Sequence, residues 1–156
     1  MTDSLFLRSY RKKEEEASDI RKQIISACYN HGGHLSSNLG TVELAESIVS
    51  SFDCLKDDVL FDVGHQSYAY KILTGRDLSL LRETNGLSPF TLRKESPYDK
   101  YDNGHSGDAI STGIGMALAK KLNHDDSYTI VIVGDASFKN GLAKEGLDVL
   151  ENRVDL

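Results

Sequence analysis

Two short apolar runs in the chain predict β-strands that are buried on both faces. The first comprises residues 59–63 (Val-Leu-Phe-Asp-Val) and the second residues 129–133 (Thr-Ile-Val-Ile-Val). The second run is rich in β-branched side chains, too short for a helix and too continuously apolar for a strand with one solvated face. Strands of this kind are typical of parallel sheets, so the two runs predict a parallel arrangement.

Helical periodicity predicts helices before and after the first run. Apolar positions recur at helical spacing in residues 18–30, and again after Thr41, which is a suitable N-cap. A short helix is predicted to follow His65, and Gly75 can close that helix in the left-handed conformation.

Two further helices are predicted around the second run, in residues 109–122 and 141–152, and residues 154–156 resemble the first step of another strand. Strands therefore alternate with helices along the chain. This alternation predicts the α/β class, with an open parallel sheet that carries helices on both faces.

Two segments are predicted to be irregular. Residues 31–41 are rich in glycine, serine and asparagine, and they contain His31 and His34. A metal pair is one interpretation of these histidines, but no third ligand has a supporting spacing, so a zinc site is not favoured. Residues 77–103 hold both prolines, and a connection of this length inside a compact domain is usually functional or mobile.

Charge and composition argue against several classes of partner. The 156 residues fit one domain, and the formal charge is −6, from 18 basic and 24 acidic residues. This balance argues against nucleic acid or an anionic membrane as a partner. No signal peptide is evident, and no apolar run approaches the roughly 20 residues that cross a bilayer. Cys28 and Cys54 lack a metal-type spacing, so we expect reduced thiols in a cytoplasmic protein.

Polar residues follow both predicted strands, at the sheet edge where ligands bind in α/β proteins. Gly134-Asp135 is either a turn or a Mg²⁺ site, and on this stretch alone common turn chemistry favours the turn. His65 is either an acid, base or phosphate donor or a helix cap, and the two interpretations are equally supported. The polar loop 102–108 precedes a helix, whose positive end makes the loop a natural phosphate cradle.

Four segments carry these residues in order: HGGHLSSNLGTVEL, FDVGHQSYAYKILTGR, NGHSGDAISTGIGMALA and IVGDASFKNGLAKEGLDVL. Together they resemble the signatures of the 1-deoxy-D-xylulose-5-phosphate synthase family, thiamine-diphosphate enzymes related to transketolase. The resemblance covers residues 20–156. Transketolase itself would show a Gly-His-Pro-Gly loop where this chain has Gly33-His34-Leu35-Ser36, which favours the synthase.

The resemblance implies roles for individual residues. Asp135 matches the family's Mg²⁺-binding aspartate, with the metal bridging it to the cofactor diphosphate. His65 matches a histidine that contacts thiamine diphosphate, and His34 matches the histidine that lies over the reacting carbon and helps proton transfer. The other positions that match the family's cofactor-binding segments are Gly104, His105, Ser106, Ala136 and Ser137.

The resemblance also implies a reaction and partners. The family condenses pyruvate with glyceraldehyde 3-phosphate, releases carbon dioxide and forms 1-deoxy-D-xylulose 5-phosphate for isoprenoid and thiamine synthesis. Residues 1–156 match the N-terminal part of the family's diphosphate-binding domain. The rest of that domain and the pyrimidine-binding and C-terminal domains are expected to be supplied by another chain, to have been lost, or never to have been present. The expected assembly is a homodimer or a complex with a chain that carries the missing domains, and the chain alone is expected to be inactive. A degenerate non-catalytic module and a transketolase-type subunit are the alternatives.

Three positions, in two segments, depart from the family pattern. Ala136 replaces the second glycine of a Gly-Asp-Gly motif, and its Cβ would cost on the order of 1 kcal/mol if the backbone there needs a positive φ. Gly107 and Asp108 replace hydroxyl residues, and a carboxylate beside a diphosphate is unfavourable unless it faces the helix N-terminus. Ala136 is thus expected to weaken the site, which supports the non-catalytic alternative.

Overall fold

The structure, a computed structural model, describes the backbone of residues 2–152 and the side chains of residues 12–152. Its sheet has two parallel strands, β1 (Asp58–Asp62) and β2 (Thr129–Val133), in the register Asp58 to Thr129 through Asp62 to Val133. The predicted parallel pairing is confirmed, and β1 lies one residue earlier than predicted. The strand expected at 154–156 lies outside the described residues.

The described residues also form seven α-helices and two short 3₁₀ turns, at Gly64–Gln66 and Leu78–Leu80. The longest helix extends well upstream of the predicted residues 18–30, and the other predicted helices are confirmed. The helices are α1 (Thr2–His31), α2 (Leu35–Leu39), α3 (Val42–Ser51), α4 (Tyr68–Leu73), α5 (Ala109–Leu122), α6 (Asp135–Phe138) and α7 (Gly141–Glu151).

Two local predictions need correction. The loop predicted at residues 31–41 contains α2, because Gly32 (φ 71°) and Gly33 (φ 154°) turn the chain and allow it to re-enter a helix at once. Thr41 occupies the N-cap position of α3, but its side chain does not cap the helix. The hydroxyl instead donates to carbonyl oxygens, among them that of Gln66 at 3.2 Å. Gly75 has φ 86°, as predicted.

Helices cover both faces of the sheet, which confirms the predicted fold class. Phe61 and Ile132, neighbours in the register, belong to the main core together with apolar residues of α1, α3 and α4. Val131 faces the opposite side, where α5 packs. Gly113 of α5 allows the close approach, since a Cβ at this glycine would lie 2.6 Å from Cγ2 of Val131.

The prediction that β2 is buried on both faces is wrong for most of the strand. Only Ile132 is buried, at 8% exposure, because among the described residues β2 pairs with β1 alone. The other face of β2 lines an open apolar groove of about 390 Å³. The groove is formed by Ile110, Gly113, Ile114, Ala117, Thr129, Val131, Val133, Phe138, Leu147 and Leu150.

Within residues 2–152, no helix is both long enough and apolar enough to cross a bilayer. Both cysteines, Cys28 and Cys54, are free thiols.

Candidate active site

Three histidines from three separate segments meet beyond the carboxyl ends of the strands. His34 precedes α2, His65 lies in the 3₁₀ turn after β1, and His105 lies in the loop before α5. The ring centroid of His34 is 4.7 Å from that of His65 and 5.5 Å from that of His105. His65 and His105 stack almost parallel at 5.2 Å. These three rings are called the histidine cluster below.

Asn38 joins two of the histidine segments. Its side chain is fully buried, and the amide nitrogen donates to the carbonyl oxygens of His34 (2.6 Å) and His65 (2.8 Å). The amide oxygen accepts from the backbone N–H of Tyr68 at 2.9 Å. One side chain therefore fixes the spacing of both histidine segments, a role that our sequence analysis missed.

The His105 loop is joined directly to the His65 turn. Gly64 donates its N–H to the carbonyl oxygen of Gly104 at 3.4 Å, and the Asn103 side chain donates to the carbonyl oxygen of Phe61 in β1. A Cβ at Gly64 would lie 2.6 Å from the backbone oxygen of Asn103. Glycine is thus required at position 64 for the two segments to approach each other.

The surroundings of His34 and His65 favour neutral imidazoles. Burial lowers the pKa of His34 below its usual value, and His105 and Arg82 lower it further. Burial likewise lowers the pKa of His65, with smaller effects from His34 and His105. The Nδ1 atoms of His34 and His65 are buried and have no hydrogen-bond partner among the described residues. Both rings can therefore exchange protons with a bound molecule near neutral pH.

Phe90 adds an apolar wall to the cluster. Its ring stands edge-on to that of His105 at 5.2 Å and lies 6.2 Å from that of His34. Phe90 lies in the segment predicted to be irregular, residues 77–103, and no role was predicted for it. The one available signal was an aromatic side chain beside Pro89 in a segment too long to be a simple connection.

Asp135 lies at the start of α6, directly after β2 and Gly134, with its side chain exposed. Ala136 is also exposed, whereas Ser137 is buried and its hydroxyl donates to Oδ1 of Asp62 at 2.7 Å. Of these three predicted site residues, Asp135 and Ala136 face solvent and Ser137 faces the protein interior.

Asp62 is a buried carboxylate that our sequence analysis passed over inside an apolar run. It has no exposed surface, and Oδ2 accepts from the N–H of Ala109, the first residue of α5, at 3.2 Å. Together with the bond from Ser137, this contact fixes α6 beside the start of α5. The segment that carries Asp135 and the loop that carries His105 are thereby held at the same edge of the sheet.

The expected strain at Ala136 does not occur. The described non-glycine residues with positive φ are Arg82, Asn85 and His124, and Ala136 lies inside α6. Alanine suits a helix better than glycine does. The predicted cost of about 1 kcal/mol therefore does not apply to this backbone.

The loop before α5 has free space beside Gly104 and a hydrogen-bonded carboxylate at Asp108. A Cβ at Gly104 would meet nothing within 4 Å. The Ser106 hydroxyl, on an exposed residue, lies within hydrogen-bond distance of two acceptors, Asn103 Oδ1 at 2.8 Å and Asp108 Oδ1. Asp108 also accepts from the Tyr101 hydroxyl at 2.7 Å. Burial alone would raise the pKa of Asp108, but the bonds from Ser106 and Tyr101 outweigh it and lower that pKa.

His31 lies outside the histidine cluster. Its Nδ1 is 2.9 Å from a carboxylate oxygen of Glu83, so the ring is engaged in a pair at the end of α1. Among the described side chains, no three histidine, cysteine or acidic residues are placed to hold a metal ion by themselves. Mg²⁺ does not need such a set, because one carboxylate together with phosphate and water oxygens completes its coordination.

Comparisons with known proteins agree on one family. A family model described as 1-deoxy-D-xylulose-5-phosphate synthase matches residues 4–155. A protein of that name from Clostridium botulinum strain Alaska E43 is 50% identical over 135 residues, which are 85% of this chain and 22% of the relative. Another, from Nitratidesulfovibrio vulgaris strain DP4, is 48% identical over 134 residues, 85% of this chain and 21% of the relative. A third, from Clostridium perfringens strain 13, is 41% identical over 159 positions, 99% of this chain and 26% of the relative. The chain thus spans between a fifth and about a quarter of the length of these relatives.

Proposed function

Because the chain belongs to the 1-deoxy-D-xylulose-5-phosphate synthase family, we propose that it forms the N-terminal part of the diphosphate-binding domain of a thiamine-diphosphate-dependent transferase. The proposed reaction condenses pyruvate with glyceraldehyde 3-phosphate, releases carbon dioxide and yields 1-deoxy-D-xylulose 5-phosphate. The observation that carries this proposal is the histidine cluster, formed by His34, His65 and His105 beyond the carboxyl ends of parallel strands. The proposed location is the cytoplasm, which suits two free thiols.

The residues at this edge of the sheet fit a diphosphate and Mg²⁺. The open backbone at Gly104 and the positive end of the 14-residue helix α5 suit an anion. The exposed carboxylate of Asp135 suits a hard cation that shares phosphate oxygens. We propose that Asp135 holds Mg²⁺ and that Gly104, His105 and Ser106 contact the diphosphate. Ala136 and Ser137 belong to the same binding segment, Ser137 through its bond to Asp62.

The histidines have separate proposed tasks. When bound, the thiazolium ring of the cofactor supplies an electron sink. His65 contacts the cofactor, and His34 moves protons to and from the substrate. Both rings suit this work because their lowered pKa values keep them neutral near pH 7. Asn38 holds the two segments in register, and Phe90 limits the access of water to the rings.

The remaining regions of the enzyme complete the proposal. The relatives carry several times more residues than this chain, and the apolar groove beside β2 leaves large side chains uncovered, including Phe138 (49% exposed) and Leu150 (41% exposed). We propose that the pyrimidine-binding and C-terminal regions of the enzyme cover this surface, in a homodimer or in a complex of separate chains. Contiguous exposed apolar surface of this kind is typical of interaction sites.

Calorimetric titration with thiamine diphosphate and Mg²⁺ tests the proposal. The chain is titrated alone and then together with a polypeptide that carries the remaining regions of a family member. We expect heat of binding with the complementing polypeptide, and its loss in Asp135→Asn but not in Asp126→Asn, a matched change in an exposed turn. Absence of binding under both conditions would refute the proposal. Tight binding that survives Asp135→Asn would refute the metal assignment.

The non-catalytic alternative has lost part of its support. It depended on Ala136 as a position where glycine was expected, yet the backbone at this residue is helical. Alanine in place of glycine at position 136 is therefore no structural reason to expect a loss of cofactor binding.

A further inference from the structure

Phe90 reaches the histidine cluster from residues 88–99, a segment without helix or strand that is called the strap below. The backbone of such a segment is not fixed by the regular hydrogen bonds of a helix or a strand, so these bonds do not hold the Phe90 ring in place. The edge-on contact with His105 therefore depends on whatever holds the strap in place. Four buried or nearly buried charged side chains provide this anchorage.

The first anchoring contact, called a tie below, consists of hydrogen bonds to the backbone of Ser88, two residues before Phe90. Lys71 of α4 has no exposed side-chain surface, forms an ion pair with Glu95 and donates to the carbonyl oxygen of Ser88 at 2.8 Å. Glu95 in turn accepts from the N–H of Ser88 at 2.7 Å. The hydroxyl oxygen of Ser88 accepts from the N–H of Phe90 at 3.1 Å. The backbone of Phe90 is thus linked, through one residue, to an ion pair whose lysine is fully buried and whose glutamate side chain is 11% exposed.

The second tie holds Leu92, two residues after Phe90. Arg76, just beyond α4, forms an ion pair with Asp99 at 2.7 Å, and the two side chains are 8% and 0% exposed. The same oxygen of Asp99 accepts from the N–H of Leu92 at 2.9 Å. Arg76 also lies 3.5 Å from Glu95, so the two ties form one network.

We infer that Lys71, Arg76, Glu95 and Asp99 are positioning residues, which hold Phe90 against the histidine cluster by fixing the strap on both sides of it. Burying charges is costly unless they are paired. Here Lys71, Glu95 and Asp99 bond directly to the backbone that flanks Phe90, and Arg76 pairs with the two carboxylates. The inference deepens the proposed function, because the strap completes the same site. It rests on that proposal only for its catalytic meaning.

Histidine ring signals in proton–carbon correlation spectra of the cofactor-free chain test the inference. Phe90→Leu removes the aromatic ring and defines the signal positions of His34 and His105 without its ring current. We expect Glu95→Gln to shift both signals in the same direction as Phe90→Leu. Glu43→Gln, which breaks an exposed ion pair with Arg21, should leave them unchanged.

The double variant Phe90→Leu with Glu95→Gln separates positioning from general damage. If Glu95 acts through Phe90, its substitution adds no further shift once the ring is absent. Ser88→Ala is a milder change, because it removes only the hydroxyl that accepts from the N–H of Phe90. Ser96→Ala is its control, because it removes a similar bond from the N–H of Tyr98 in the same strap. Unmoved signals in both Glu95→Gln and Ser88→Ala, or equal shifts in Ser96→Ala, would overturn the inference. Because no cofactor is present, the result is independent of whether thiamine diphosphate binds.

Discussion

Replacing Asn38 with alanine removes the amide that joins the two histidine segments. Three backbone groups lose their partner: the carbonyl oxygens of His34 and His65, in partly buried bonds, and the buried N–H of Tyr68. A net hydrogen bond is worth about 1 kcal/mol, and a buried group left unpaired costs about 1–3 kcal/mol. We therefore expect the free energy of unfolding to fall by about 3–5 kcal/mol, a large fraction of the stability of a domain this size.

Urea denaturation followed by circular dichroism measures this loss. Asn123→Ala is the matched control, because that side chain makes a single exposed bond to the carbonyl oxygen of Ala119 at 2.8 Å. An exposed substitution of this kind changes stability by about 0.5 kcal/mol or less. If Asn38→Ala costs no more than Asn123→Ala, the bonds of Asn38 do not hold the site together and the reasoning fails.

Asn38→Asp tests the donor role separately. The carboxylate can still accept from Tyr68, but it cannot donate to the two carbonyl oxygens, and burial without a cation raises its pKa. A folded-state pKa above the unfolded value of about 3.9 means that stability is lost as pH rises through the raised value. Relative to the native chain at each pH, the variant should be least stable at neutral pH and recover part of the deficit on acidification. A deficit independent of pH would contradict this.

Three further predictions concern the surrounding site. The lowered pKa values of His34 and His65 imply that the unfolded chain binds more protons below its own histidine pKa of about 6.5. Acidification from pH 7 should therefore lower the free energy of unfolding in urea titrations. The loss should be smaller in a variant with both His34 and His65 changed to glutamine, and an equal loss in that variant would contradict the lowered pKa values. Gly64→Ala, which brings a Cβ to 2.6 Å from a backbone oxygen, should cost about 1–3 kcal/mol in thermal melts, whereas Gly104→Ala, with open space, should cost less. Ala136→Gly should lower the free energy of unfolding by about 0.5–1 kcal/mol because the residue is helical, and a gain in stability would reveal strain.

The parallel pairing, and the sheet edge at which the histidine cluster lies, were predictable from local pattern. Two continuous apolar runs with helices between them leave few arrangements other than a parallel crossover. Parallel strands place their carboxyl ends at one edge, so the segments of His65 and Asp135 had to lie near each other. The burial of β2 was overestimated because composition reports what a strand can bury and not which neighbours cover it.

The residues that fix the site could not be predicted in the same way. Asn38 bonds across 27 residues to His65 and across 30 to Tyr68, and a polar residue in a glycine- and serine-rich segment has no period that reveals burial. The position of Phe90 likewise depends on Lys71 and Glu95. Charged side chains are usually exposed, so the sequence gives no sign that these two are buried as an ion pair. Both cases rest on contacts between segments that are distant in sequence.

Two aspartates lie near the carboxyl ends of the strands, and their positions relative to the sheet give them different surroundings. Asp62 is the last residue of β1, where it pairs in register with Val133, and its side chain is fully buried. Asp135 comes two residues beyond Val133, where the chain has already left the sheet, and its carboxylate is exposed. The two carboxylate oxygens of Asp62 accept hydrogen bonds from the N–H of Ala109 and the hydroxyl of Ser137, and the second bond helps to fix the position of α6. The buried aspartate thus helps to fix the position of the helix that begins with the exposed one.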